Sequence, residues 1–171
     1  MRLVVVMLIF CMLFTGCGTA AVWERVEDVS AETAGVWQQE AYVLQIGLPP
    51  TLSLTESKLG SSLYETADGS WQVQTQTFLA ADLDTAVRYL SGYEADRLTI
   101  LQISRFELPE YRFAWYSQTE EGGRLCRGDL VMDGTVCYAV ISSTLETAGD
   151  TYTEQIQQVF SSFGLSHGEV V

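Results

Sequence analysis

Hydrophobic and polar positions alternate over much of the chain beyond residue 41, and this period of two predicts β-strands. Turn-forming residues at 67–70, at 108–110 and at Asp133 and Gly134 separate neighbouring strands and predict three hairpins. The last turn joins the second and third of three consecutive antiparallel strands. The predicted strands are residues 42–46, 62–66, 71–78, 98–105, 111–117, 125–132 and 136–144.

Two segments have the period of an amphipathic helix instead. Asp82 is placed to cap the first helix and Gly92 follows its end. Thr151 and Glu154 have the spacing of a capping box for the second helix, and Gly164 is placed to end it. The apolar stripes are Leu83, Ala86, Val87 and Leu90 in the first helix, and Tyr152, Ile156, Val159, Phe160 and Phe163 in the second.

Runs of strands with two inserted helices indicate an α+β fold: an antiparallel sheet of about five to seven strands with two helices packed on it. The strand at 138–141, the short link to Tyr152 and the final helix ending at 159–165 resemble the PsbP-like family. These small α+β domains occur in the extrinsic subunit of photosystem II and in many bacterial lipoproteins. The resemblance covers roughly residues 42–165 and implies the fold alone, because no functional residue of the family maps onto this chain.

The amino terminus has the layout of an export signal. Arg2 is followed by an apolar run at residues 3–14, then by Thr15, Gly16 and Cys17. A permanent transmembrane anchor is the competing interpretation. Residues 3–16 would span only about 21 Å as a helix, whereas the hydrocarbon core of a bilayer is roughly 30 Å thick. The sequence therefore favours a cleaved signal peptide over an anchor.

The four residues 14–17 resemble the lipobox, at which bacterial lipoproteins are cut before a lipid-bearing cysteine. Phe14 departs from the more usual leucine, and a chance cysteine behind an ordinary signal peptide is the alternative. The resemblance implies acyl chains on Cys17 that hold the protein on the extracytoplasmic face of the bacterial cell membrane. The predicted organisation is a signal peptide at 1–16, an acylated amino terminus and spacer at 17–40, a single α+β domain at 41–165 and a flexible tail at 166–171.

The chain carries 22 acidic residues against 9 lysines and arginines, a net charge of −13. Such a surface repels nucleic-acid phosphates, so no nucleic-acid partner is expected.

Two cysteines, Cys126 and Cys137, lie in the predicted domain. A two-residue turn at Asp133 and Gly134 would pair Leu130 with Cys137, which leaves Cys126 four residues further along its strand. That separation is about 13 Å, too far for a disulfide. Both thiols are therefore expected to be free.

The search for catalytic chemistry finds no assembled set. His167 is the single histidine and falls in the predicted tail. Three groups of carboxylates have structural explanations. Helix capping explains Asp82 with Asp84, and a solvated loop explains Glu120 with Glu121. Asp133 is explained by its turn, and Asp129 lies on the strand before that turn. No catalytic residue, metal site or cofactor is expected. The aromatic residues Trp71, Tyr111, Phe113 and Trp115 are interpreted as core, with a ligand groove as the alternative.

These observations predict a noncatalytic, membrane-tethered binding or accessory domain, with an envelope protein or other envelope component as its partner. Two alternatives stay open. One is a carboxylate-dependent envelope hydrolase, which needs two carboxyl groups about 5–10 Å apart in a cleft. The other is a carrier of a small apolar ligand, which needs an enclosed apolar pocket of about 300 Å³ or more.

Overall fold

The structure is a computed structural model that describes the backbone of residues 24–28 and all of residues 42–167. The predicted signal peptide, Cys17 and most of the predicted spacer lie outside the described residues. Within the described part of the chain, no helix is both long and apolar enough to cross a membrane.

The described residues form two antiparallel sheets and two α-helices. In chain order the elements are β1 Glu24–Asp28, β2 Tyr42–Leu48, β3 Ser53–Lys58, β4 Ser61–Glu65, β5 Trp71–Leu79, α1 Leu83–Ser91, β6 Leu101–Arg105, β7 Leu108–Thr119, β8 Gly122–Asp133, β9 Val136–Leu145, α2 Thr153–Ser162 and β10 Gly164–His167. A seven-stranded sheet has the order β3-β4-β5-β9-β8-β7-β6, and a three-stranded sheet has the order β1-β2-β10. The predicted α+β fold is confirmed.

Successive side chains of each strand point to opposite faces of the large sheet, and buried residues lie on both faces. One face packs against β2, β10 and α2, and the other packs against α1. The first core contains Trp71, Val73, Tyr138 and Val140 of the sheet with Ile156 and Val159 of α2. The second contains Phe113, Leu130 and Ala139 with Ala86 and Val87 of α1. Of the four aromatic residues predicted to be core, Trp71 and Phe113 are buried, and Tyr111 and Trp115 are partly buried and pack against the second core.

The first helix matches its predicted signals. The Asp82 side chain accepts a hydrogen bond of 2.8 Å from the backbone N–H of Thr85, and Gly92 adopts a left-handed conformation with φ of 76° at the other end. The second helix does not. Its N-cap is Tyr152, which makes no side-chain capping bond, and the Thr151 hydroxyl donates to the Ala148 carbonyl instead.

The predicted role of Gly164 is also wrong, because α2 ends at Ser162 and Gly164 begins β10. Strand β10 pairs Ser166 with Val43 and His167 with Tyr42. The paired region thus extends two residues beyond the predicted domain end at 165, into the segment that the sequence assigned to a flexible tail. The extension has a physical reason: the strand ladder to β2 supplies backbone hydrogen bonds to these residues.

Two hairpin turns differ from their predicted positions. The β6–β7 turn is formed by Phe106 and Glu107, both at positive φ (55° and 64°), rather than by residues 108–110. A two-residue turn of this type matches the twist of the flanking strands, and Pro109 is tolerated near the start of β7. In the β8–β9 hairpin, Asp133 pairs with Val136, so the turn falls one residue later than predicted.

A further edge strand, β3, was not predicted because all six of its residues are exposed and give no hydrophobic period.

Candidate binding groove

A groove of about 920 Å³ lies between α2 and the strands β6, β7 and β8. It exists because α2 covers only part of its sheet face, so Ala114 and Arg127 on the uncovered part are exposed. The groove is therefore open to solvent along its floor. Its lining residues are Thr99, Arg105, Phe106, Arg112, Phe113, Ala114, Arg127, Gly128, Asp129, Ile156, Gln157, Phe160, Ser161 and Phe163.

Strand register places charged side chains together on this face. Arg112 of β7 lies opposite Asp129 of β8, and Ala114 lies opposite Arg127. Glu110 is two residues before Arg112 and therefore points to the same face. The floor of the groove is thus an alternation of arginines and carboxylates, whereas the same face nearer β9 carries the apolar core.

Glu110 is fully buried at the base of this charged group. Arg112 donates to one of its oxygens from Nε at 2.7 Å and contacts it from Nη2 at 2.6 Å. The Nε of Arg105 donates to the other oxygen. Two guanidinium groups therefore stabilise the carboxylate of Glu110, which compensates for its removal from water.

Asp129 is only 1% exposed, and its surroundings stabilise an ionised carboxylate less than those of Glu110 do. Its nearest cationic nitrogens are Nε of Arg112 at 3.3 Å and Nη2 of Arg105 at 3.9 Å. When Asp129 is ionised, neither of its oxygens accepts a hydrogen bond from a described residue. Burial, followed by the hydrogen bond and negative charge of Glu110, raises the pKa of Asp129 to about 7. The protonated form of Asp129 can donate a hydrogen bond to the Glu110 carboxylate, which favours the neutral form of Asp129.

Arg105 joins the β6–β7 hairpin to the end of α2. Its Nη1 donates to the Phe163 carbonyl at 2.6 Å, and its guanidinium lies 5.5 Å from the ring centroid of Phe163 and 5.9 Å from that of Phe106. A cation at a helix C-terminus and over aromatic faces is favourable. These contacts fix one wall of the groove relative to the other.

Positive charge converges on the groove in a chain that is otherwise acidic. Three of the nine lysines and arginines, Arg105, Arg112 and Arg127, line it. The side chain of Arg112 is 42% exposed. Arg127 is exposed and makes no ion pair with any residue within 42–167. Among the described residues, Arg127 is therefore the one arginine of the groove whose charge no ion pair offsets, whereas Arg105 and Arg112 are paired with Glu110 and Asp129.

Most side chains that the sequence singled out lie elsewhere. Asp84 accepts a hydrogen bond from the Ala95 backbone, Glu121 pairs with Arg124, and the ring of His167 lies 4.8 Å from that of Tyr42. From the sequence, Asp129 was grouped with Asp133, and its proximity to Glu110 was not predicted. The available signal was the charged residues at every second position of β7 and β8, which share a face only once the two strands are paired.

Cys126 and Cys137 are both free and buried. Cys126 lies opposite Ser143, whereas Cys137 lies opposite Met132 rather than Leu130, so the predicted register was shifted. Six residues of β8 separate the two positions, roughly 20 Å along the strand. Burial raises the pKa of each thiol, to about 11 for Cys137. Neither is an activated thiolate.

The charged group does not have the arrangement of a two-acid hydrolase. Such enzymes hold two carboxyl groups about 5–10 Å apart with access for water. Glu110 and Asp129 are within hydrogen-bond reach of each other, and Glu110 has no exposed surface. In the described ranges, no three histidine, cysteine or acidic side chains are grouped to hold a metal ion.

Comparison with solved structures identifies the fold. The cyanobacterial PsbP protein (CyanoP) of Synechocystis sp. PCC 6803 aligns with a TM-score of 0.58 and 12% identity, over 90% of this chain and 99% of that one. The chain has the PsbP-like α+β fold.

Two further structures are similar. A protein of Bacteroides thetaiotaomicron aligns with a TM-score of 0.50 and 12% identity over 72% of this chain, which spans only 45% of that one. LpqN of Mycobacterium tuberculosis, a protein involved in cell envelope biogenesis, aligns with a TM-score of 0.48 and 10% identity over 84% and 91% of the two chains. No family model matches the chain, and neither does a curated protein.

Proposed function

We propose that the protein is an extracytoplasmic lipoprotein, anchored by acyl chains on Cys17, whose PsbP-like domain binds an envelope component without catalysing a reaction. The observation that carries the binding role is the groove between α2 and β6–β8, which brings apolar side chains and three arginines to one open surface. The location rests on the export signal and the lipobox-like residues that precede the domain.

The chemistry of the groove favours binding over catalysis. Its buried carboxylate, Glu110, is held by Arg105 and Arg112, and Asp129 is 1% exposed beside Glu110. A general acid or base has to reach the substrate, and a nucleophile has to be exposed and activated. Here the arginines are the exposed groups, and arginine binds and orients anions rather than transferring protons.

The anchor is tested by the intact mass and membrane partition of the protein isolated from cells. The wild-type protein is expected to begin at an acylated Cys17 and to sediment with membranes. The Cys17→Ala variant is expected to stay uncleaved or to be released without lipid. A wild-type protein with an unmodified amino terminus would contradict the proposed location.

The binding role is tested by filling the groove. Ala114 is exposed on the groove floor, so Ala114→Trp blocks it at little cost in stability. Leu54→Trp, on the exposed edge strand β3 at the other end of the sheet, is the matched control. Capture from solubilised membranes should be saturable for the wild type and for Leu54→Trp and lost for Ala114→Trp. Equal capture by both variants would contradict binding at the groove.

The noncatalytic assignment is tested with envelope fractions as substrate. The purified wild-type protein is expected to leave wall glycans, lipids and peptides unchanged. Turnover that disappears in Asp129→Asn would instead establish the hydrolase alternative.

A further inference from the structure

The two arginines on the groove floor are placed to hold one anionic group between them. Arg112 and Arg127 occupy diagonal positions on β7 and β8, which are roughly 7–8 Å apart in an antiparallel pair. Ala114 lies directly opposite Arg127, and because it is small and exposed it does not fill the groove floor beside the two arginines. An anion resting above Ala114 is within reach of both arginines.

Both arginines keep free hydrogen-bond donors for such an anion. Arg112 uses Nε and Nη2 on Glu110, which leaves Nη1 available. The guanidinium of Arg127 forms no ion pair with a residue in the described ranges. Because Asp129 takes up a proton near neutral pH, it offsets less of this positive charge than a fully ionised carboxylate would.

The wall beside this anion site is apolar. Helix α2 contributes Ile156 and Phe160, Phe163 follows its last residue, and the β6–β7 hairpin contributes Phe106. Phe160 is half-buried and Phe106 is exposed, so a ligand that covers them removes apolar surface from water. The groove therefore matches a molecule with one anionic end and one apolar end.

The backbone around the groove disfavours an extended peptide as the occupant. An extended peptide that adds a strand to a sheet binds through main-chain hydrogen bonds to an open sheet edge. The floor of the groove is instead the face of β7 and β8, whose backbone groups are paired within the sheet, and only β6 at its rim is an edge strand. A small amphiphile needs no such backbone partners.

We propose that the groove binds a small amphiphilic anion, with its carboxylate or phosphate between Arg112 and Arg127 and its apolar part against α2. This inference rests on the proposed binding role and names the chemistry of the ligand. It assigns Arg127 as the specificity-determining residue, because Arg127 is the groove arginine that forms no ion pair with a carboxylate in the described part of the chain.

Photoaffinity labelling tests this with the full chain in nanodiscs of zwitterionic lipid, using decanoic acid that carries a diazirine. The label should be saturable, should map to β7, β8 or α2, and should be competed by unlabelled decanoate. Decanol and decylamine should compete poorly because they lack the negative charge. Comparison of decanoate with decyl phosphate as competitors distinguishes a carboxylate from a phosphate head group.

Arg127→Gln should raise the probe concentration for half-maximal labelling about tenfold, in keeping with the loss of one charged hydrogen-bonding partner. Lys58→Gln, which removes one positive charge from exposed β3 at the opposite edge of the sheet, should leave it unchanged. Thermal melts of both variants check that the fold is intact.

Labelling that is scattered over the protein, equally strong with decanol as competitor or insensitive to Arg127→Gln would overturn the inference. So would labelling that an acidic peptide blocks and decanoate does not, because the groove would then belong to a protein segment. These outcomes leave the proposed function standing, whereas an unacylated Cys17 or retained capture by Ala114→Trp would remove the proposed function independently of the ligand.

Discussion

Asp129 destabilises the fold at neutral pH, and Asp129→Asn should relieve that destabilisation. The carboxyl is buried beside Glu110, and its pKa is raised from 3.8 to about 7. An amide has nearly the same shape, carries no charge and donates a hydrogen bond to Glu110 at every pH. The substitution therefore keeps the favourable contact of the protonated acid and removes the unfavourable ionised form.

The size of the effect follows from linkage between protonation and folding. A pKa of about 7 in the folded protein against 3.8 in the unfolded chain corresponds to about 4 kcal/mol. Because the amide reproduces only part of the hydrogen bonding of the protonated acid, we expect a gain of about 2 kcal/mol above pH 8, or roughly 4–8 °C in Tm.

The gain should depend on pH in a defined direction. A raised carboxyl pKa means that the folded protein binds more protons than the unfolded chain between pH 4 and 7. Stability contributed by the protonated form is present at the low end of this range and is lost as the pH rises through 7. The difference between wild type and Asp129→Asn should therefore be near zero at pH 4.5 and largest above pH 8.

Urea unfolding followed by circular dichroism between pH 4.5 and 8.5 measures this directly. Asp150→Asn removes the same charge from an exposed turn and controls for the change in net charge. A variant that is no more stable than wild type at pH 8, or that is equally stabilised at pH 4.5, would refute the reasoning.

Three further substitutions test the packing around the sheet, each by urea unfolding against wild type. Gly128→Ala should cost about 1–3 kcal/mol, because the added Cβ would lie 3.2 Å from the rings of both Phe113 and Trp115, and an unchanged midpoint would show that the two rings move freely. Trp71→Phe removes the 2.9 Å bond from Nε1 to the buried Ser142 hydroxyl and should cost about 2 kcal/mol, whereas a neutral result would mean that the hydroxyl finds another partner. Arg105→Gln leaves a buried carboxylate with one cation fewer and should cost about 3 kcal/mol, and a stabilised variant would contradict the ion-pair interpretation.

The sequence predicted the fold well where side chains alternate between a core and a second face. Strand β5 buries every second residue from Trp71 to Thr77, and α1 lies between the capping residues Asp82 and Gly92, as predicted. Strand β3 escaped prediction because both of its faces are exposed, so no hydrophobic period marks it.

Turn positions were harder to predict, because the hydrophobic pattern does not locate a turn to within one residue. The β6–β7 turn was predicted at residues 108–110 because Pro109 favours turns. Phe106 and Glu107 form the turn instead, and both have positive φ. Neither residue type favours that conformation. The pairing of the strands enforces it, and local sequence does not report such a long-range effect.

The groove was out of reach for the same reason. In the sequence of each strand taken alone, charged residues indicate a solvent-exposed face, and this holds for Glu110, Arg112, Arg127 and Asp129. Only the cross-strand register brings them to one face, and only the placement of α2 shows that this face is partly uncovered. Strand pairing and helix docking are properties of the tertiary structure, and the hydrophobic pattern of a single strand does not predict them.

Photo-crosslinking in living cells tests most directly whether the groove is the binding surface. A photoreactive benzoyl-phenylalanine is placed at Ala114 on the groove floor or at Leu54 on β3, in the full chain. We expect residue 114 to form a defined adduct, identified by mass, that weakens when Arg127→Gln is added, and residue 54 to form none. The absence of an adduct at 114, or the same adduct at both positions, would contradict the account.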